Sequence, residues 1–335
     1  MKTMAKWLIC LSILSACLFA MQGCGNNAKE IVGEGNAIYY WRTAFRLNQY
    51  ERDFIKKHDI KKMYVKFFDV KSDWDGSIIP VGTTIFIDSI PSDVLIVPTI
   101  FITSDAIAEY PQFIDKLLTR IVDMAEANGI KYSEIQIDCD WTESNSERYF
   151  AFMKEFKSML EPKGIDLSTT IRFFQLGYET PAADYGVLMC YNTGDINNWE
   201  TDNSILDSKD IKPYLEKLSK CKLPLTVAFP DFSWDVSFAE EKYMMGIEYD
   251  KLDFSSKERY KKLTDNRYEV IPSDNDNYWT PRYYRHEEVS LQDILDVKDM
   301  VLKKMPSVPC QIVMYHLDSV NLSKFTDDDV EKIYR

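Results

Sequence analysis

Two aspartates, Asp138 and Asp140, stand two residues apart in the segment Gln136-Ile137-Asp138-Cys139-Asp140-Trp141-Thr142-Glu143. In an extended strand side chains alternate, so Gln136, Asp138 and Asp140 share one side and Ile137, Cys139 and Trp141 the other. The apolar side suits packing under helices, which turns both carboxylates toward the interior. Carboxylates taken out of water are costly unless they are hydrogen-bonded or used. Residues so spaced have Cα atoms about 6.6 Å apart. At an effective dielectric near 20 the repulsion is about 2.5 kcal/mol, close to two pKa units. One of the pair is then expected to keep its proton near neutral pH, which suits acid–base work. The plainer alternative is a charge network satisfied by Arg172 or Lys66 from neighbouring strands.

Similar chemistry gathers at the ends of other apolar runs. Trp41, Asp69, Arg172, Gln175, Tyr191 and Asn192 stand at such ends, followed by Asp231, Trp234, His316 and Asp318. Carboxylates hold hydroxyls and aromatic rings stack on sugar faces, so this rim reads as a carbohydrate site. Each ring taken singly is as readily explained by packing.

The elements that must position these residues follow from hydropathy. Apolar, β-branched runs span 38–45, 61–70, 94–103, 134–141, 167–174, 185–191, 223–232 and 308–318. Amphipathic helical patterns lie between or after them at 47–58, 110–128, 147–160, 211–220, 290–304 and 322–334, while 71–93 reads as loop. Strands alternating with helices imply a parallel sheet. Eight of them in this length predict an α/β chain folded as a (β/α)8 TIM barrel over residues 37–335. Residues 233–289, rich in tyrosine, form an insertion between strands seven and eight. A structureless loop of that length is improbable, so a small subdomain or a helical lid is expected there.

With 335 residues, 45% hydrophobic and 28% charged, the chain is long enough for a sizeable core. A net charge of −13 argues against nucleic acid or an anionic membrane surface as the main partner. No G-x-G-x-x-G turn or P-loop follows any strand, and neither G-x-S-x-G nor H-E-x-x-H occurs. With three histidines and no C-x-x-C pair, neither a metal nor another cofactor is expected. Nothing in the surface pattern calls for an obligate oligomer, so a monomer is expected.

Lys2 and Lys6 precede an apolar run over residues 7–21, which reads as a secretory leader. The run ends in Gln22-Gly23-Cys24, which resembles the bacterial lipobox. That resemblance implies a signal peptide over residues 1–23, a diacylated Cys24 and a polar tether over 24–36. The expected location is the cell envelope of a Gram-negative bacterium, held by a two-chain lipid anchor. Of the remaining cysteines, Cys139, Cys190, Cys221 and Cys310 are scattered and read as single thiols.

Asp138-Cys139-Asp140-Trp141 resembles the D-x-D-x-E end of strand four in chitinase-like glycoside hydrolases of family 18. Met189-Cys190-Tyr191-Asn192 resembles the M-x-Y-D/N of their sixth strand, and residues 223–230 their seventh. A group of uncharacterised bacterial secreted barrels is closer still, sharing Gln136 to Asp140, Tyr149-Phe150 and Leu167-Ser168-Thr169-Thr170. The resemblance implies a barrel acting on carbohydrate. Asp140 is then the leading acid/base, Asp138 its tuning partner and Tyr191 a donor to the sugar, with Asp231 and Asp318 as second carboxylates. One departure is large. The family places its general-acid Glu where this chain has Thr142; Glu143 follows on the other strand face, and the strand-eight Trp aligns with His316. Two functions stay open: a lipid-anchored glycoside hydrolase, or a glycan-binding surface lipoprotein that has lost the acid.

Overall fold

Strands of a parallel sheet covered on both faces carry near-continuous apolar runs, and eight such runs become the walls of a closed barrel. In the computed structural model, which describes residues 35–249, 252–305 and 311–335, these are β1 Asn36–Tyr40, β2 Ile60–Ser72, β3 Leu95–Ile102, β4 Glu134–Asp138, β5 Asp166–Ile171, β6 Tyr185–Met189, β7 Leu225–Pro230 and β8 Ile312–Tyr315. Each is hydrogen-bonded in parallel to its neighbours in sequence order, and β1 closes the ring by pairing with both β2 and β8. Ala37 stands opposite Val313 at that seam. The leader, Cys24, nearly all of the tether, Cys310 and the expected start of strand eight at 308 lie outside the described residues.

The barrel is filled by polar and aromatic side chains in tiers. At the bottom Glu134 accepts from Lys62 at 3.0 Å and from Ser168 at 2.6 Å, and the Tyr185 hydroxyl also donates to it. Above them the Tyr39 hydroxyl donates to Gln136 at 2.8 Å, and its ring stacks on Tyr64 at 4.8 Å. Asp138 comes next and faces the mouth, so Gln136 and Asp138 do share the interior.

Helices α1 Gln49–Lys57, α2 Ile114–Ala127, α3 Ser146–Leu160, α4 Leu291–Leu302 and α5 Asp327–Tyr334 contribute to the outer layer. Asn48 and Glu51 form a capping box at α1, as do Ser290 with Asp293 at α4 and Thr326 with Asp329 at α5. Helix α3 buries Tyr149, Phe152, Met153, Phe156 and Leu160, and Trp141 stacks on Tyr149 at 5.7 Å. That contact fixes the outward half of the alternation expected for strand four.

Three expectations need correction. Residues 71–93 are not all loop: Ile78–Val81 turns back antiparallel to β2, and Ile85–Phe86 pairs with Ala44–Phe45. Gly82, at φ +54°, makes the exit possible, since a Cβ there would stand 2.7 Å from Asp69 Oδ2. The helix expected over 211–220 is broken into short turns, with Pro213 inside one of them. The insertion is a subdomain and not a helical lid: strands 244–248, 233–238, 283–288, 267–270 and 260–262 form a five-stranded antiparallel sheet in that order.

Candidate functional site

The strand ends surround a cleft of about 750 Å³ at the C-terminal mouth of the barrel. Tyr315 lies at its centre, with ring contacts to Tyr191 at 4.9 Å, Tyr39 at 5.5 Å, Phe232 at 5.8 Å and Trp41 at 5.9 Å. Trp41, Phe101 and Trp234 add further walls, and Tyr249 reaches the cleft from the insertion. The resemblance aligned the family's strand-eight ring with His316, but the ring at the centre belongs to Tyr315. Alternation along β8 was the available signal, because Tyr315 shares its side with Val313. Phe101, Phe232 and Tyr315 are not among the site residues expected from the sequence.

Strand four ends at Asp138 rather than running to Trp141, and this separates the two aspartates. Asp138 is 4% exposed and faces the cleft, with Thr170 Oγ1 donating to Oδ1 at 2.6 Å. Burial pushes its pKa up to about 6, against the pull of Arg172 and with a smaller push from Asp140. The expected raised carboxyl is present, but desolvation leads and like-charge repulsion is secondary. Asp140, its side chain 49% exposed, lies past the strand end and takes a 2.6 Å hydrogen bond from Arg172 Nε. Arg172 Nη2 stands 3.9 Å from Asp138, and the guanidinium lies 5.6 Å from the Tyr191 ring centre. Burial opposes the guanidinium's charge, but Asp140 and Asp138 outweigh it and hold the pKa above its ordinary value. Arg172 Nη1 is buried without a hydrogen-bond partner among the described residues.

The remaining residues divide. Tyr191, Asn192, Trp234, His316 and Asp318 line the cleft with Asp138, Arg172 and Trp41. The Tyr191 hydroxyl contacts Met189 Sδ at 3.1 Å, and burial keeps the phenol protonated. Burial pulls the His316 pKa down to about 4, so the imidazole is neutral at pH 7. Asp318 Oδ1 caps a short turn, accepting from Val320 N and Asn321 N at 3.0 and 3.1 Å.

Asp140 does not line the cleft, and neither do three further expected site residues. Asp231 is 1% exposed, and its Oδ1 accepts from His316 N at 2.9 Å while burial raises its pKa well above the carboxylate range. Asp69 pairs with Lys66 at 2.7 Å. Gln175 is 2% exposed and bridges loops, accepting from Arg172 N at 2.8 Å and donating to Trp141 O at 3.0 Å. All three side chains satisfy backbone or ion-pair partners instead.

A buried junction fixes Trp234 at the cleft wall. Its Nε1 donates to Glu287 Oε2 at 2.9 Å, and the same carboxylate accepts from Ser204 N and Oγ at 2.8 and 2.6 Å. Arg285 Nε donates to Glu287 Oε1 at 2.5 Å, both side chains being fully buried. Arg285 also donates to the carbonyls of Asn198 and Ile196, which ties the insertion to the loop after β6.

At the position of the missing acid, Thr142 is exposed and N-caps the turn Glu143–Asn145. Glu143 is also exposed, 3.4 Å from the Tyr178 hydroxyl, and does not line the cleft. Among the described residues no cluster of His, Cys, Asp or Glu is arranged to hold a metal ion.

An eight-stranded parallel barrel with an aromatic, acid-bearing mouth and an insertion between its last two strands is a chitinase-like TIM barrel. Its fold is similar to that of a chitinase from Chromobacterium violaceum, with 12% identity over 89% of this chain and 98% of that one and a TM-score of 0.52. It is similar also to the spore cortex-lytic enzyme SleL of Bacillus megaterium (14% identity, 90% of this chain, 74% of that one, TM-score 0.51). A family 18 chitinase from Cycas revoluta, solved in complex with (GlcNAc)3, matches at 11% identity over 89% of this chain and 98% of that one, with a TM-score of 0.52. No family model and no curated protein matches the sequence. The (β/α)8 barrel fold shared with these proteins is therefore established by structure alone.

Proposed function

We propose that this chain is a cell-envelope lipoprotein, anchored through Cys24, whose barrel binds an oligosaccharide in the aromatic cleft. The observation that carries this reading is the ring set around Tyr315 beside Asp138 in the cleft, in a chain that has Thr142 where the resemblance expects an acid. Rings supply apolar faces for pyranoses, while Asp138, Asn192 and Asp318 supply acceptors and donors for hydroxyls. A protein complexed with (GlcNAc)3 among its structural neighbours favours the same ligand class.

Hydrolysis is the second reading, favoured by one specific observation. Asp138 holds its proton up to about pH 6 while facing the cleft, which is what a general acid requires. Asp140 is less suited to that part, because its Oδ1 is taken up by Arg172.

The mature protein, begun at Cys24, is tested against bacterial, host and plant oligosaccharides by calorimetry and mass spectrometry. The expected result is binding without cleavage, weakened at least tenfold by Trp234→Ala. Cleavage that Asp138→Asn abolishes would establish the hydrolase instead. An absence of binding to any glycan would remove both readings.

A further inference from the structure

A second recess opens beside Arg172 and carries a carboxylate that forms no ion pair among the described residues. It has a volume of about 230 Å³ and shares Arg172, Tyr191 and Asn192 with the cleft. Phe173, Phe174 and Tyr214 give it an aromatic lining, and Asp140 and Asp210 are its carboxylates. Asp140 is neutralised by Arg172 at 2.6 Å. Asp210 has no such counterpart: among the described residues no Lys, Arg or His nitrogen lies within ion-pair distance of its carboxylate. Lys209, next in the chain, lies instead near Asp207 and Asp202, at 3.6 and 3.9 Å. The backbone is shaped to admit this carboxylate. A Cβ at Gly194 would meet Asp210 Oδ2 at 2.9 Å, so a larger residue there would displace it.

An unpaired carboxylate among aromatic rings is complementary to a cation. Coulomb attraction and the negative ring faces act together, and the partly enclosed position weakens screening. Lys217 already lies 5.2 Å from the Tyr214 ring centre, so Phe174, 40% exposed, is the ring with surface to offer. We propose that this recess is a subsite for a sugar bearing a free amino group, its ammonium held between Asp210 and the Phe174 ring. The proposal rests on the oligosaccharide reading and narrows it: at this subsite an N-acetylated sugar, being neutral, gives up the charged contact.

The test compares a glucosamine tetramer with an N-acetylglucosamine tetramer by calorimetry on the mature protein at about pH 6, in low and high salt. The amine-bearing tetramer is expected to bind about tenfold more tightly in low salt, the advantage shrinking in high salt. Asp210→Asn should erase that advantage and leave affinity for the acetylated tetramer unchanged; Phe174→Ala should reduce it in part. Equal affinity for the two tetramers, or a preference that survives Asp210→Asn, overturns the subsite while leaving the glycan reading intact. Binding of neither tetramer, with no other glycan bound in the wider panel, overturns both.

Discussion

Asp138 gives a stability prediction whose size follows from its surroundings. Its carboxyl is 4% exposed and its pKa is pushed up to about 6, from an ordinary value of 3.8. The folded protein therefore binds this proton more tightly than the unfolded chain. Below about pH 4 both states are protonated and the group contributes nothing; as pH rises to about 6 the unfolded chain ionises first and the fold loses stability. Two pKa units correspond to roughly 3 kcal/mol. Asp138→Asn removes the titration while its side-chain oxygen can still accept from Thr170. Urea unfolding of wild type and variant is to be measured from pH 4 to pH 8. Whatever constant offset the substitution carries, the variant's stability relative to wild type should rise by about 2.4 kcal/mol between pH 4 and pH 7, then level off. A difference that stays flat across this range would refute the reasoning. Arg172 would then be holding Asp138 ionised throughout, and the burial argument would fail.

Two further substitutions probe parts of the fold that carry the site. Glu287→Gln leaves Arg285 charged and unpaired in a fully buried place, so it should cost about 3–5 kcal/mol in urea unfolding and shift Trp234 fluorescence. A loss below about 1 kcal/mol would mean that the junction is not held by this pair. Thr226 is 1% exposed and its hydroxyl has no partner among the described residues, so Thr226→Val should leave stability unchanged or raise it by about 1 kcal/mol. A clear loss in the same assay would reveal a hydrogen bond to that hydroxyl.

The barrel was legible because parallel strands buried on both faces leave long apolar runs, and each of the eight runs overlaps a barrel strand. Where polar pairing replaces burial the reading weakened. The Ile78–Val81 strand contains Pro80 and is followed by Gly82, residues that normally argue against a strand, and it exists as an edge strand on β2. Tyrosine density in the insertion marked its position over the rim but not its form, since its strands are half-polar and were open to a helical reading. At the site, alternation placed Asp138 correctly. It failed for Asp140 because the strand stops at Asp138, a boundary set by tertiary contacts. Asp231 shows the other limit: a carboxylate at a strand end can turn to a neighbouring backbone N–H as readily as to the cleft.

The seam between β1 and β8 has a consequence for how the chain is made. Ala37 finds its partner Val313 only after nearly the whole barrel and the insertion have been synthesised. At translation rates of about 5–20 residues per second, the interval is on the order of tens of seconds. For that time β1 has no partner on the seam side, and β7 lacks one from its own synthesis until β8 follows, so the nascent sheet is an open trough with bare apolar margins, the surfaces most prone to pair with other chains. The insertion, three of whose four strand pairings join close sequence neighbours, can form its hairpins during this wait. Holding such a trough open without aggregation is work for chaperones, and the last strand to emerge is the one that ends the need for them.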